Sequence, residues 1–259
     1  MIDLNGRIAL VTGGSRGIGG AVVRQMARAG ARVVFSYTVN TPAARAVESA
    51  VLAERAEGAR GGEAIAVQAD VSVREEAESV VEEAHARFGG IDILVNNAGI
   101  WNEEPIPIDE MTDNEWDHMM AVNLRGVFMT IRAAVPRMKE RASGRIINVA
   151  STAGQRGEAF HSHYAASKAA LFGLTKSLAA ELAPHGILVT AVAPGWVDTE
   201  MSSAPLAGAD REKILGSIVL GRPGTAEEIA GAILFLSSDL ATYLTGCTVS
   251  VNGGSVLCV

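Results

Sequence analysis

Short apolar runs alternate with helix-length segments from one end of this chain to the other, and that alternation leaves few folds open. Strand-like runs stand at residues 7–12, 32–36, 64–68, 92–95, 145–149, 188–192 and 248–251. Segments of helical character lie between them at 18–29, 42–57, 73–88, 114–138, 163–182 and 225–236. Gly30 closes the first of these, and the second is rich in Ala, Glu and Arg. Nearly continuous apolar strands need cover on both faces, which helical crossovers supply to a parallel sheet. Right-handed crossovers then give a doubly wound α/β sheet of about seven strands with helices on both faces. No linker, repeat or composition break divides residues 1–259, so a single domain with one sizeable core is expected.

Open sheets of this kind bind ligands beyond the C-terminal ends of their strands. The first such end carries Thr12-Gly13-Gly14-Ser15-Arg16-Gly17-Ile18-Gly19, which joins strand to helix. Glycines permit a tight turn and close approach of a pyrophosphate, and the helix N-terminus offers unpaired N–H groups and a positive dipole end. The spacing Gly-x-x-x-Gly-x-Gly differs from the commoner Gly-x-Gly-x-x-Gly, but its place between the first strand and first helix supports a dinucleotide site. Two long connections, 100–112 and 195–224, also leave strand C-terminal ends. The second is long enough to form a lid over a substrate, the alternative being an ordinary surface excursion.

A second signal is Tyr164-Ala165-Ala166-Ser167-Lys168, with Ser151 thirteen residues upstream of the tyrosine. Residues four apart share a helix face. An ammonium beside a phenol favours the phenolate and lowers its pKa, which would make Tyr164 a proton donor or acceptor for a carbonyl or an alcohol. Ser151 would hold the reacting oxygen. By itself Tyr-x-x-x-Lys is a weak motif that any amphipathic helix can carry.

Composition removes other classes of function. Net charge is -7 with no basic run, so nucleic acid binding has no electrostatic support. The two cysteines, Cys247 and Cys258, have no metal-ligand or CxxC spacing, so neither a metal site nor a disulfide scaffold is expected. No apolar stretch reaches transmembrane length, and residues 1–7 lack signal-peptide character; a cytoplasmic setting is the expectation.

Taken together, these motifs resemble the short-chain dehydrogenase/reductase family over nearly the whole chain, from Gly6 to Gly254. Beyond the glycine turn, the matching pieces are Asp70-Val71, Asn96-Asn97-Ala98-Gly99, Asn123, Asn148 to Ser151, Tyr164 to Lys168, Pro194-Gly195 and Asn252-Gly253-Gly254. The resemblance implies a Rossmann-fold catalytic domain that moves a hydride between a nicotinamide and a carbonyl carbon. It implies that Tyr164 donates the proton, that Ser151 hydrogen-bonds the carbonyl oxygen, and that Lys168 lowers the tyrosine pKa and binds the nicotinamide ribose. Asn123 would hold a water in a proton relay from Lys168. Implied cofactor contacts are Gly13, Ser15, Arg16, Gly17, Ile18, Gly19, Tyr37, Thr38, Asp70, Val71, Asn97, Ala98, Gly99, Tyr164, Lys168, Pro194, Gly195, Val197 and Thr199. Asp70 would meet the adenine, and Val197 and Thr199 the carboxamide and phosphates. Asn96 would brace the sheet. Ala150 departs from the family pattern, where a second serine is common, and leaves Ser151 unaffected.

Cofactor choice is read at the end of the second strand. NAD-preferring relatives place an acid there for the ribose 2′-hydroxyl. The segment Ser36-Tyr37-Thr38-Val39-Asn40 has none, and Arg16 is near, so NADP(H) is expected over NAD(H). The overall texture resembles 3-oxoacyl-[acyl-carrier-protein] reductases, implying fatty acid biosynthesis and a carbonyl substrate carried on acyl carrier protein or CoA. Sugar, polyol and other secondary-alcohol dehydrogenases share the same motifs. Met129 and Ala180 stand where a carrier-protein reductase would place basic residues; Arg125, Arg132 and Arg156 are possible substitutes. The polar stretch between Ser151 and Tyr164, with Gln155, Arg156, Glu158, His161, Ser162 and His163, is expected to form a pocket wall; Trp101, Arg156, His161 and Trp196 are the candidate substrate contacts, the alternatives being a structurally bonded or solvent-facing histidine and tryptophans that only pack. A cofactor-binding protein without chemistry is disfavoured because Asn123, Ser151, Tyr164 and Lys168 are all present. A homotetramer is also implied, with Phe128, Leu171, Leu174 and Leu178 as apolar positions on the helices that would pair.

Overall fold

The computed structural model describes residues 2–56 and 62–257; the expected helix end at Glu57 and the thiol of Cys258 lie outside the described residues. In chain order the first half runs β1 (Ile8–Val11), α1 (Gly17–Arg28), β2 (Arg32–Tyr37), α2 (Thr41–Ala56), β3 (Glu63–Gln68), α3 (Arg74–Phe88), β4 (Ile93–Asn96), α4 (Asp113–Met120) and α5 (Gly126–Glu140). The second half runs β5 (Gly144–Val149), α6 (Thr152–Arg156), α7 (Ser162–Leu182), β6 (Ile187–Pro194), β7 (Val197–Asp198), α8 (Ser203–Ala207), α9 (Arg211–Gly216), β8 (Gly224–Thr225), α10 (Ala226–Leu236) and β9 (Thr248–Val251).

Seven parallel strands form one sheet in the order β3-β2-β1-β4-β5-β6-β9. The order reverses between β1 and β4, and the crevice at that switch point is where a doubly wound sheet takes a ligand. Successive strand residues point to opposite faces. Thus Ala9 and Val11 of β1, with Ile93 and Val95 of β4, pack under α1 and α10, while Leu10 and Leu94 pack on the other side with α3, α5 and α7. Two apolar layers sandwich the sheet, as the near-continuous apolar strands required.

Four departures from the sequence reading bear on the site. The segment 114–138 is not one regular helix: a π-turn at Ala121–Arg125 separates α4 from α5. An extra residue per turn re-aims side chains, and such turns recur at functional sites; here it contains Asn123. The connection 195–224 is largely structured, with β7 paired to β8 and two short helices between them. Leu171 is fully buried in the core under the sheet, whereas Phe128 is exposed beneath the Arg132 guanidinium, 5.1 Å from its ring centroid. Met129 is also buried, so it cannot present itself to a carrier protein. No helix among the described residues is long and apolar enough to cross a membrane.

Candidate active site

At the C-terminal end of β1 the chain turns on glycines. Gly13 and Gly17 have φ of +65° and +52°, where a side chain is strained. The turn is tied to both neighbouring strands. Gly13 N–H donates to Ser36 Oγ (3.2 Å) and Gly14 N–H to the Ser36 carbonyl (2.9 Å), which locks it to β2. Asn97 Nδ2 donates to the carbonyls of Thr12 and Gly13, each at 3.0 Å, and the N–H groups of Asn97 and Ala98 donate to Thr12 Oγ1. Helix α1 starts at Gly17 behind Arg16, whose extended backbone carries no side-chain cap, and its first turn has no acid. Its leading N–H groups therefore stay available to an anion. A cavity of about 800 Å³ opens from this turn, a size suited to a dinucleotide with substrate. All of the expected cofactor positions line it, from Gly13 through Thr199. The cradle thus fits a nicotinamide dinucleotide.

The same cavity reaches Ser151, Tyr164 and Lys168. Ser151 stands two residues beyond β5 and caps α6, accepting the Ala153 N–H at 3.1 Å. Gly154 lets α6 lie directly on α7: a Cβ there would sit 2.6 Å from Ala169 N. This contact brings Ser151 into hydrogen bonding with Tyr164. Lys168 Nζ donates to the Val149 carbonyl (2.9 Å) and lies 5.9 Å from the Tyr164 ring centroid. A Cβ on Gly99 would lie 3.2 Å from both Asn123 Oδ1 and Lys168 Nζ, so these three residues converge. Asn123 is fully buried; it accepts the Ile100 N–H at 2.8 Å, and its Nδ2 donates to the Ile100 carbonyl and Ser167 Oγ. In this structure Asn123 clamps the loop after β4 to α7.

The electrostatics correct one expectation. Burial pushes Tyr164 up to about 12, the Ser151 hydrogen bond acts the other way, and the Glu158 charge adds to the rise. Burial also pulls Lys168 down to about 8. The expected lowering of the tyrosine by Lys168 has no counterpart among the causes of its shift; burial, which disfavours the charged form of each group, governs both. The protonated phenol is the stable form here, as a proton donor requires.

Substrate-side residues divide. Trp101, Arg156 and Trp196 line the cavity. Trp101 meets Trp196 edge-on with ring centroids 6.3 Å apart. His161 instead stacks behind Trp101 (5.1 Å between centroids, 20° between planes) and donates from Nδ1 to the Ala159 carbonyl. It is buried and positions the indole rather than offering itself to a substrate. Asn96 hydrogen-bonds Asn148 (2.9 Å) and Thr130 (2.7 Å) inside the protein, a brace between β4, β5 and α5. Two acids outside the candidate contacts belong to the site as well. Glu158 lines the cavity, bonded by Trp101, with its carboxyl raised by burial against the pull of His161 and Arg156. Glu200 lines it too and pairs with Arg16. Glu200 carries no local sequence signal, because its partner Arg16 lies 184 positions away, whereas Glu158 acts on its chain neighbours Arg156, His161 and Tyr164.

A family model described as Enoyl-(Acyl carrier protein) reductase matches residues 13–255. A 3-oxoacyl-[acyl-carrier-protein] reductase of Synechocystis sp. is 42% identical over 258 residues, 99% of this chain and 100% of the relative. The corresponding Escherichia coli protein, FabG, is 42% identical over 98% of each chain. A Serratia marcescens short-chain dehydrogenase/reductase variant superposes with a TM-score of 0.89 at 40% identity, covering 97% of this chain and 98% of that one. The chain belongs to the short-chain dehydrogenase/reductase family. It is an NAD(P)-dependent enzyme of that family. A blue fluorescent protein from a metagenomic library, solved in complex with NADPH, shares the fold at a TM-score of 0.86 and 38% identity over 98% of this chain and 100% of that one.

For this short-chain dehydrogenase/reductase the Glu158–Tyr164 coupling has a measurable sign. The negative carboxylate disfavours phenolate, so Glu158→Gln lowers the Tyr164 pKa. In the role the family resemblance implies, Tyr164 would serve alcohol oxidation as a phenolate base. The rising limb of its kcat/KM against pH is expected to move to lower pH in Glu158→Gln; a limb that stays put or moves up would refute the coupling.

Proposed function

We propose that the enzyme uses NADPH to reduce a carbonyl to an alcohol and that its substrate is a 3-oxoacyl thioester. The carrying observation is the single cavity that joins the glycine turn and the acid-free end of β2 to Ser151 and Tyr164. In the bound state the nicotinamide supplies the hydride that the carbonyl carbon accepts. Tyr164 holds the proton on its Oη and releases it to the carbonyl oxygen. Ser151, already hydrogen-bonded to Tyr164, donates to the same oxygen as negative charge develops there. Lys168 orients the ribose from its anchor on Val149 and sits near enough to compensate charge on the spent tyrosine. Asn123 keeps the loop after β4 seated on α7 so that these groups stay in register.

The thioester assignment is supported by the similarity to the 3-oxoacyl-[acyl-carrier-protein] reductases of Synechocystis sp. and Escherichia coli. NADPH is supported by the absence of an acid in Ser36–Asn40 and by the NADPH complex of the fluorescent relative. Assembly as a cytoplasmic homotetramer belongs to the same reading. Exposed Phe128 on α5 supports an apolar contact there, and buried Leu171 does not contribute to it. One observation favours a second reading, a sugar or polyol dehydrogenase: Glu158 and Arg156 give the substrate half of the cavity polar walls suited to hydroxyl groups.

Acetoacetyl-CoA with NADPH is the discriminating assay. Turnover is expected, with kcat/KM at least about tenfold higher for NADPH than for NADH, which corresponds to about 1.4 kcal/mol of discrimination. No turnover of the thioester alongside activity on a polyol would replace the first reading with the second. A clear NADH preference would overturn the cofactor assignment.

A further inference from the structure

Arg16 does not stand free at the cavity mouth. Its Nη1 lies 2.6 Å from Oε2 of Glu200, a residue 184 positions away that opens the turn after β7. Both residues line the cavity, and both side chains are more than half exposed. Arg16 belongs to the turn that Gly13 and Gly14 bond to Ser36, so it lies beside the end of β2, where no carboxylate stands between residues 36 and 40. The only anion the structure gives Arg16 among the described residues is therefore Glu200. An exposed ion pair is weak and opens readily to a competing anion. A phosphate, with up to two negative charges and a shape that matches the guanidinium fork, is a stronger partner for arginine than one carboxylate.

We infer that Glu200 is a cofactor-specificity residue that holds Arg16 across the cavity mouth, so that the 2′-phosphate of NADP(H) must draw Arg16 away from it. Glu200 then weakens binding of NADP(H) and leaves NAD(H), which lacks that phosphate, untouched. The pair also ties the phosphate turn to the segment leading into α8, and NADP(H) releases that tie while NAD(H) keeps it. The inference rests on the NADP(H) reading above.

The test is equilibrium titration with NADPH and with NADH, followed by nicotinamide fluorescence, on the wild type, Glu200→Gln, Arg16→Gln and the double variant. Both positions are exposed, so the fold is not at stake. Glu200→Gln is expected to tighten NADPH by about two- to fivefold, the range an exposed pair commands, with NADH unchanged. Arg16→Gln is expected to weaken NADPH and to erase the effect of Glu200→Gln. If the wild type binds NADPH more tightly than NADH but Glu200→Gln changes both alike, or neither, the proposal fails and the cofactor reading stands. If the wild type binds NADPH no more tightly than NADH, the cofactor reading fails and the proposal with it.

Discussion

A Tyr164→Phe variant is expected to bind dinucleotide as the wild type does and to lose about 100- to 10,000-fold in kcat, the usual worth of a positioned proton donor. The change removes one oxygen from a half-buried ring and leaves its packing intact. It also removes the partner of the Ser151 hydroxyl, which still caps α6 through Ala153. Local structure therefore survives and the loss falls on chemistry. Burial holds the native phenol near 12, so at neutral pH it carries its proton. The check is single-turnover reduction of the thioester with NADPH, alongside cofactor titration by fluorescence. Retention of kcat within about threefold would remove Tyr164 from the catalytic role.

The second large effect is expected at Gly19. A Cβ there would lie 2.2 Å from the Gly13 carbonyl oxygen and 2.5 Å from Asn97 Nδ2, atoms that are themselves hydrogen-bonded at 3.0 Å. Alanine cannot enter without parting the turn from its brace on β4. Overpacking of this kind costs about 1–3 kcal/mol. If the strain falls on the binding-competent turn, NADPH affinity drops by about ten- to a hundredfold. Gly20 is the control: its nearest contacts to a Cβ are at 3.6 Å, so Gly20→Ala is expected to bind nearly as the wild type does. Equal affinity for Gly19→Ala and Gly20→Ala would show that the turn does not need its third glycine.

Much of the site was legible because its parts are local. The glycine turn reads from eight consecutive residues, since positive φ and close approach demand glycine wherever they occur. Tyr164 and Lys168 read from helical spacing. The strands read from their composition, because a sheet covered on both faces cannot alternate polar with apolar. What was illegible depends on residues far apart in sequence. Nearness to Tyr164 leaves His161 open between a substrate contact and a structurally bonded histidine, and only the fold shows it stacked behind Trp101, 60 positions earlier. Spacing puts Lys168 beside the tyrosine to lower its pKa, yet burial governs both groups and raises it. The π-turn at Asn123 has no composition mark of its own and is held by Ile100 and Ser167.

The sequence by itself determined the layer architecture and the glycine turn and put Tyr164 and Lys168 on one helix face, because each follows from a short-range rule of backbone geometry or side-chain periodicity. Only the tertiary structure decided what those groups experience. The β1–β4 switch point brought the phosphate turn, Glu158 and Glu200 to one cavity. Burial there set the charge states of Tyr164 and Lys168, and the fold paired Arg16 with an acid 184 residues away. Desolvation and long-range charge pairing depend on which segments the sheet order makes neighbours, and no local pattern encodes that order.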